Sequence, residues 1–275
     1  MLFLVALPGW SFANTIDGLQ TRADVERFLV SRVSKKFKDE QIFGSRPGSD
    51  STGMREWFYK TDVDGDGLTD LVVNGETVFV ILDRGKKGYA HFRLIRDGDI
   101  EGRAVLYGID SAVGRKRIVM KKGRGRSTVL DTLVWHAYGF MEYNDRPLER
   151  FDLEQITVST TGCFGKCPVF ELTVDGDRLA RYKAIQFNDE RGEFTGTISK
   201  EKFEHMLEVL RYLPLDHMDS SYAVDWTDDQ TIFLEIHYNG QVKRISDYGL
   251  RGSFGLSRLY AYFFSWKEKT EWSEK

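Results

Sequence analysis

One short segment of the chain gathers acidic residues at a regular spacing. Between Thr61 and Leu71 the sequence is T-D-V-D-G-D-G-L-T-D-L, with aspartates at the first, third, fifth and ninth loop positions. Alternate side chains of such a glycine-containing loop can converge on one point, and Ca²⁺ accepts about six to eight oxygen ligands in flexible geometry. The sequence therefore predicts a structural Ca²⁺ site. Its expected ligands are Asp62, Asp64, Asp66, Asp70 and the main-chain carbonyl of Leu68.

This loop departs from an EF-hand. An EF-hand closes with a glutamate at position 12 and lies between helices, whereas here that position is Val73 and the segment from Leu71 has strand character. The D-x-D-x-D-G-x-x-D spacing of residues 62–70 resembles instead the calcium loops of integrin-type and related β-propeller repeats, which lie between strands. A single copy does not predict a propeller, which needs about four to eight blades. A turn rich in Asp and Gly that binds no metal is the alternative.

The chain contains only two cysteines, Cys163 and Cys167, in the segment T-T-G-C-F-G-K-C-P. In an oxidising compartment such a pair most simply forms a disulfide, which would fix the loop. The spacing also resembles copper-delivery proteins of the thioredoxin-like class, and soft thiolates do select Cu(I). In those proteins a helix follows the second cysteine, whereas here the residues after Pro168 alternate as a strand. An envelope thiol-redox or copper-handling function is therefore the alternative to a structural disulfide.

The N-terminal sequence indicates export. Residues 1–13, M-L-F-L-V-A-L-P-G-W-S-F-A, resemble the apolar core of a signal peptide, with Ser11 and Ala13 suitably small for cleavage before Asn14. The basic n-region is missing, and a buried N-terminal strand is the alternative. The run is shorter than the roughly 20 apolar residues that span a bilayer, and no other segment approaches that length. We expect a periplasmic or extracellular protein with no integral membrane segment in the mature chain.

Composition limits the function classes. The 275 residues are 41% hydrophobic and 13% aromatic, which suits a folded chain with a substantial core. A net charge of −3 argues against a dedicated nucleic-acid binder. The basic cluster around Gly-Arg-Gly-Arg at 123–126 could meet nucleic acid or anionic lipid, but no aromatic residues interleave with it, so we interpret it as a solvated hairpin tip.

Few residues suggest catalysis. The sequence has no nucleophile elbow, phosphate-binding loop or dinucleotide fingerprint, and its five histidines show no ligand spacing. A carboxylate-rich stretch surrounds Trp226, and paired carboxylates beside an aromatic ring could cleave glycans. Its members are Asp225, Asp228, Asp229 and Glu235. Acidic loops are more often only solvated, so the sequence favours a non-enzymatic function without deciding the question.

Hydrophobic periodicity predicts an α+β fold. A β-rich domain over residues 14–150 would contain one capping helix from Thr21 to about Lys38 and a hairpin around Asn74-Gly75-Glu76. A second domain over residues 151–275 has the element order βββ(β)αββα, which predicts an antiparallel sheet with two helices on one face. Acidic residues are in excess from Phe151 onward, with 15 Lys and Arg against 21 Asp and Glu.

The cysteine segment carries a family resemblance. The string from Thr161 to Gly176 contains C-F-G-K-C-P-V-F followed by a strand and an Asp-Gly turn. It resembles the signature of a bacterial family of exported proteins of uncharacterised function, and the similarity extends over residues 154–265. The resemblance implies a fold unit and an exported setting but no activity. Taken together, the sequence predicts a calcium-stabilised binding or structural module of the cell envelope, whose partner is an unknown protein or a glycan.

Overall fold

The structure, a computed structural model, describes residues 14–43, 56–94, 104–112, 114–122 and 129–275. The predicted signal peptide and the basic cluster at 123–126 lie outside these residues. The chain divides into two compact units, Met1–Asp131 and Thr132–Lys275. The domain boundary after Arg150 stays a prediction. No helix in the described ranges is long and apolar enough to cross a membrane.

The first unit begins with the predicted capping box. The Thr21 hydroxyl accepts the N–H of Asp24, and the Asp24 carboxylate accepts the N–H of Thr21, which starts helix α1 (Arg22–Phe28). A π-helical turn (Leu29–Val33) and a 3₁₀ turn (Lys35–Asp39) follow. The helix expected to run to Lys38 is interrupted because Ser34 is extended and its hydroxyl accepts the N–H of Lys36.

Four antiparallel strands carry the core of the first unit. They pair in the order β1 (Phe58–Thr61), β2 (Asp70–Asn74), β3 (Val78–Asp83) and β4 (Tyr89–Arg93). The predicted hairpin joins β2 to β3, which pair from Asn74↔Val78 to Leu71↔Ile81. Both strands are buried along their whole length, and α1 packs against them. A further hairpin of this unit pairs β5 (Ala104–Ala112) with β6 (Arg115–Lys122).

The second unit is dominated by one large sheet. Strand β7 (Val129–His136) begins three residues before the boundary, and within the second unit it pairs with β8 (Gly139–Glu142) from Leu133↔Glu142 to His136↔Gly139. The sheet has the strand order β13-β15-β14-β9-β10-β11-β12-β16 among the described residues, and it is antiparallel except for the parallel pair β13–β15. Its strands are β9 (Leu153–Thr160), β10 (Val169–Asp175), β11 (Leu179–Gln186), β12 (Gly192–Thr197), β13 (Ser221–Ala223), β14 (Thr231–Tyr238), β15 (Gln241–Tyr248) and β16 (Ser273–Glu274).

Two helices cover one face of this sheet. Helices α2 (Lys200–Tyr212) and α3 (Phe254–Lys269) share one hydrophobic core with the inward side chains of the central strands. Alternation along each strand sends apolar side chains to the helices and polar ones to the opposite face. The predicted α+β class is confirmed, because helices and antiparallel strands both contribute to the core.

Candidate functional site

Three of the four predicted carboxylates converge where the loop after β1 enters β2. One oxygen each of Asp62, Asp64 and Asp70 lies within 4.8 Å of the others. Among the residues that the structure describes, this is the only group of three such side chains with the proximity that a metal ion requires. Asp66 and the carbonyl of Leu68 do not belong to this group, and their role as ligands stays a prediction.

Local hydrogen bonds explain why the loop turns here. The two carboxylate oxygens of Asp62 accept the N–H groups of Gly65 and Gly67 at 2.8 and 3.0 Å. An oxygen of Asp66 accepts the N–H of Leu68 at 2.9 Å. Both glycines have a positive φ, 80° and 85°, which other residues adopt only with strain. The sequence of alternating Asp and Gly therefore fixes the loop before any ion is bound.

Asp70 is the most deeply buried member of the group. Its side chain is fully buried, and its two oxygens accept the N–H groups of Val63 and Asp83, each at 2.8 Å. Burial raises the pKa of Asp70 to about 7, against the lowering effect of these two hydrogen bonds. The charges of Asp64 and Asp66 raise it further. A carboxylate in this position is costly to ionise unless positive charge is supplied.

Arg84 supplies positive charge to the group. Arg84, directly after β3, donates from Nη1 to Asp64 at 2.8 Å, and the Asp64 side chain is only 2% exposed. Burial and the neighbouring charge of Asp66 nevertheless raise the pKa of Asp64. The sequence did not predict that the N–H of Asp83 and the guanidinium of Arg84 meet this group. The pairing of β2 with β3 brings both to the loop.

The cysteine loop connects β9 to β10. The Sγ atoms of Cys163 and Cys167 lie at bonded distance, 1.92 Å, with their Cα atoms 5.7 Å apart. Phe164, between them, is 89% exposed, and its N–H donates to the carbonyl of Asp228. Strand β10 begins at Val169, almost directly after the second cysteine. The loop therefore lacks the following helix that the copper-delivery interpretation requires.

The acidic stretch around Trp226 adjoins this loop. The buried amide of Gln230 donates to the carbonyls of Thr161 and Pro168, which ties the two segments together. The indole N–H of Trp226 donates to Asp229 at 3.0 Å. Glu235 does not share this loop; it lies within β14 on the face of the sheet opposite the helices, as its alternation with buried neighbours shows.

Another buried carboxylate, Asp247, lies one residue before the end of β15. Its oxygens accept the N–H groups of Arg251 and Gly252 at 3.0 and 2.9 Å, so it holds the turn that leads into α3. The adjacent hydroxyl of Tyr260 is buried, and burial together with the charge of Asp247 raises the pKa of that tyrosine. We interpret Asp247 as a structural group because its oxygens are engaged by the backbone.

The comparisons with known proteins concern the second unit. Residues 154–266 match a family model described as a domain of unknown function (DUF6438). The expected domain of unknown function over these residues is therefore confirmed, whereas the bacterial exported family stays a prediction. A search of the curated proteins found no match, and a search of the solved structures found none.

Proposed function

We propose that the Asp62–Asp70 loop binds Ca²⁺, and that the protein is an exported, calcium-stabilised binding or structural module of the cell envelope. The convergence of Asp62, Asp64 and Asp70 within 4.8 Å carries the calcium part of this proposal. The ion would hold the β1–β2 connection in place, and no chemical reaction at the site is implied.

Charge favours an ion at this position. Asp64 and Asp70 have almost no exposed side-chain surface, so water screens their repulsion poorly. Arg84 forms an ion pair with Asp64. Burial and the neighbouring carboxylates raise the pKa values of Asp64 and Asp70. A divalent cation among the three carboxylates would offset both the repulsion and the cost of ionising buried groups.

The donor set suits calcium in particular. Carboxylate and carbonyl oxygens are hard ligands, and alternate residues of a short loop supply several of them in the flexible arrangement that Ca²⁺ accepts. No cysteine or histidine belongs to the group of three. Each carboxylate oxygen retains lone pairs beyond the backbone N–H that it accepts, so the existing hydrogen bonds of Asp62 and Asp70 can persist beside an ion.

The exported setting has separate support. The bonded distance between Cys163 and Cys167 suits an oxidising compartment, where calcium is also available. The exposed Phe164 on that loop suits contact with a partner, an unknown protein or a glycan. We do not propose the thiol-redox or copper alternative, because no observation in the loop favours it over a structural disulfide.

Calcium titration of the purified chain tests the metal site. Isothermal titration calorimetry should show one Ca²⁺ per chain, and Asp64→Asn should weaken binding at least about tenfold, since it removes one of three converging charges. Asp177→Asn is the matched control: it neutralises an exposed aspartate in the Asp-Gly turn between β10 and β11. Binding of Ca²⁺ that is unchanged by Asp64→Asn would refute the assignment.

Processing of the N-terminus tests export. When the full chain is expressed in a bacterial host with a secretion system, we expect the mature protein to begin at Asn14, because Ser11 and Ala13 satisfy the small-residue rule for cleavage. N-terminal sequencing of the periplasmic fraction measures this. Ala13→Arg should block the cleavage; an intact chain that stays in the cytoplasm would contradict export.

A further inference from the structure

We propose that the open face of the sheet in the second unit binds a neutral oligosaccharide in a groove beside Phe233. The site gives the proposed binding module a ligand class and rests on that proposed function. It uses none of the calcium-loop residues, so the two assignments can fail separately. We call it the Phe233 groove; it is lined by Thr157, Ser159, Glu171, Ser220, Phe233, Leu234, Glu235, Arg244, Ile245 and Ser246.

The groove lies on the sheet face that the helices leave uncovered. Along β14, Ile232, Leu234 and Ile236 point into the core, whereas Phe233 and Glu235 alternate with them on the other face. The space above that face has a volume of about 410 Å³, which is in the range of roughly 300–1,000 Å³ found for ligand sites. Phe233 is 48% exposed there. A ligand that covered this ring would gain the favourable free energy of burying an aromatic side chain.

One cross-strand row supplies the contacts that a sugar needs. Phe233 of β14 is opposite Ser159 of β9, which in turn is opposite Glu171 of β10. Within the described part of the chain, the Ser159 hydroxyl and the Glu171 carboxylate have no hydrogen-bond or ion-pair partner. Three neighbouring strands span about 10 Å, enough for a short run of linked rings. The row thus joins an aromatic platform to a free hydroxyl and a free carboxylate.

The next row is held rigid by charge pairing. Glu235 binds Nε2 of His237 through one oxygen and Nε of Arg244 through the other, each at 2.6 Å. The hydrogen bond from His237, and then that from Arg244, lowers the pKa of Glu235, so it stays ionised. These contacts set the orientation of Arg244 at the groove wall.

The charge of the groove disfavours an anionic ligand. Glu235 is paired with Arg244, and Glu171 adds to the groove a carboxylate that is unpaired among the described residues, so an anionic ligand would be repelled whereas a neutral one would not. A sugar ring presents hydroxyls to carboxylates and an apolar face to an aromatic ring. Nucleic acid would require a positive surface.

An extended peptide fits the groove less well. Peptides add to sheets by pairing with a free strand edge. The floor of the groove is instead formed by β14, β9 and β10, each of which is already paired on both sides. The groove therefore offers side chains and no unpaired backbone, which favours a ligand recognised by hydroxyl hydrogen bonds and ring stacking.

Saccharide titration with matched variants tests this site. Calorimetry on the full chain uses cellotetraose, chitotetraose and maltotetraose as probes, at concentrations to several mM, because a Kd of about 1 mM corresponds to only about 4 kcal/mol. We expect saturable binding of at least one probe. Phe233→Ala should weaken it about tenfold or more, whereas Phe233→Trp should retain it. Val242→Ala is the control, since Val242 is 45% exposed on the same face but outside the groove.

Three results would overturn the proposal. The first is no saturable binding of any of the three probes. The second is saccharide binding that Phe233→Ala and Val242→Ala affect equally, which would place the sugar elsewhere. The third is binding of tetra-alanine but of no saccharide, which would make the groove a peptide site. Repeating the titration with Asp64→Asn separates the two assignments: loss of the calcium site should leave saccharide affinity unchanged.

Discussion

Calcium should raise the unfolding temperature of the first unit. The stabilisation by a ligand that binds only the folded state is about 2.7 kcal/mol at 100 times its Kd. For units of this size, 1 kcal/mol shifts the midpoint by several degrees, so saturating Ca²⁺ should raise it by about 10 °C. The second unit contains none of Asp62, Asp64 or Asp70. Its transition should therefore stay where it is.

Differential scanning calorimetry on the oxidised, metal-stripped chain makes this measurement. Scans with and without millimolar Ca²⁺ are compared for the natural sequence, Asp64→Asn and the control Asp177→Asn. Asp64→Asn should lose most of the calcium-dependent rise but keep the metal-free midpoint within a few degrees, because it removes repulsion along with the ion pair to Arg84. An equal rise in Asp64→Asn, or no rise in the natural sequence, would refute the reasoning.

Three other perturbations have defined outcomes. Replacing Cys163 and Cys167 together by alanine should lower the unfolding free energy of the second unit by about 2 kcal/mol or less in urea titrations, because so short a ring restricts the unfolded chain little. A loss above that range would contradict a merely local role. Asp247→Ala should cost about 2–4 kcal/mol by the same assay, since two backbone N–H groups lose a charged acceptor; a neutral effect would refute its anchoring role. Calcium affinity should fall as the pH drops from 8 to 6, because Asp70, with its pKa raised to about 7 by burial, takes up a proton that competes with the ion. In the metal-free protein the same raised pKa means that the folded state holds this proton more tightly than the unfolded one. Stability should thus decline as the pH rises from about 4 to 7, and a calorimetric affinity independent of pH would contradict both expectations.

Local sequence determined much of the candidate calcium site. The aspartates of residues 62–70 are close in the chain, and the turn between them is specified by Gly65 and Gly67 with their positive φ. Convergence of side chains over so few residues needs only local geometry. The capping box at Thr21 and the hairpin after Asn74 were predictable for the same reason. Strand alternation and helical periodicity likewise sufficed for the α+β class of the second unit.

The environment of these local features depends on the pairing of strands that are separated in the sequence. The sequence could not show that Asp70 is fully buried, nor that Arg84 and the N–H of Asp83 meet the loop, because strand register in the first sheet brings them there. The predicted helix to Lys38 was wrong beyond Val33, because Ser34 is extended and caps a new turn. Its apolar periodicity continued through this break.

The open face of the sheet in the second unit likewise depends partly on local sequence and partly on strand pairing. From the alternation in β14 alone, Phe233 and Glu235 could be assigned to one side of a strand. Their neighbours Ser159, Glu171 and Arg244 come from three other strands, separated from them along the chain, and only the register of the antiparallel pairs places them in one groove. Sequence specifies a side chain's face through a two-residue repeat, whereas the partners on that face follow from which strands pair and in what register.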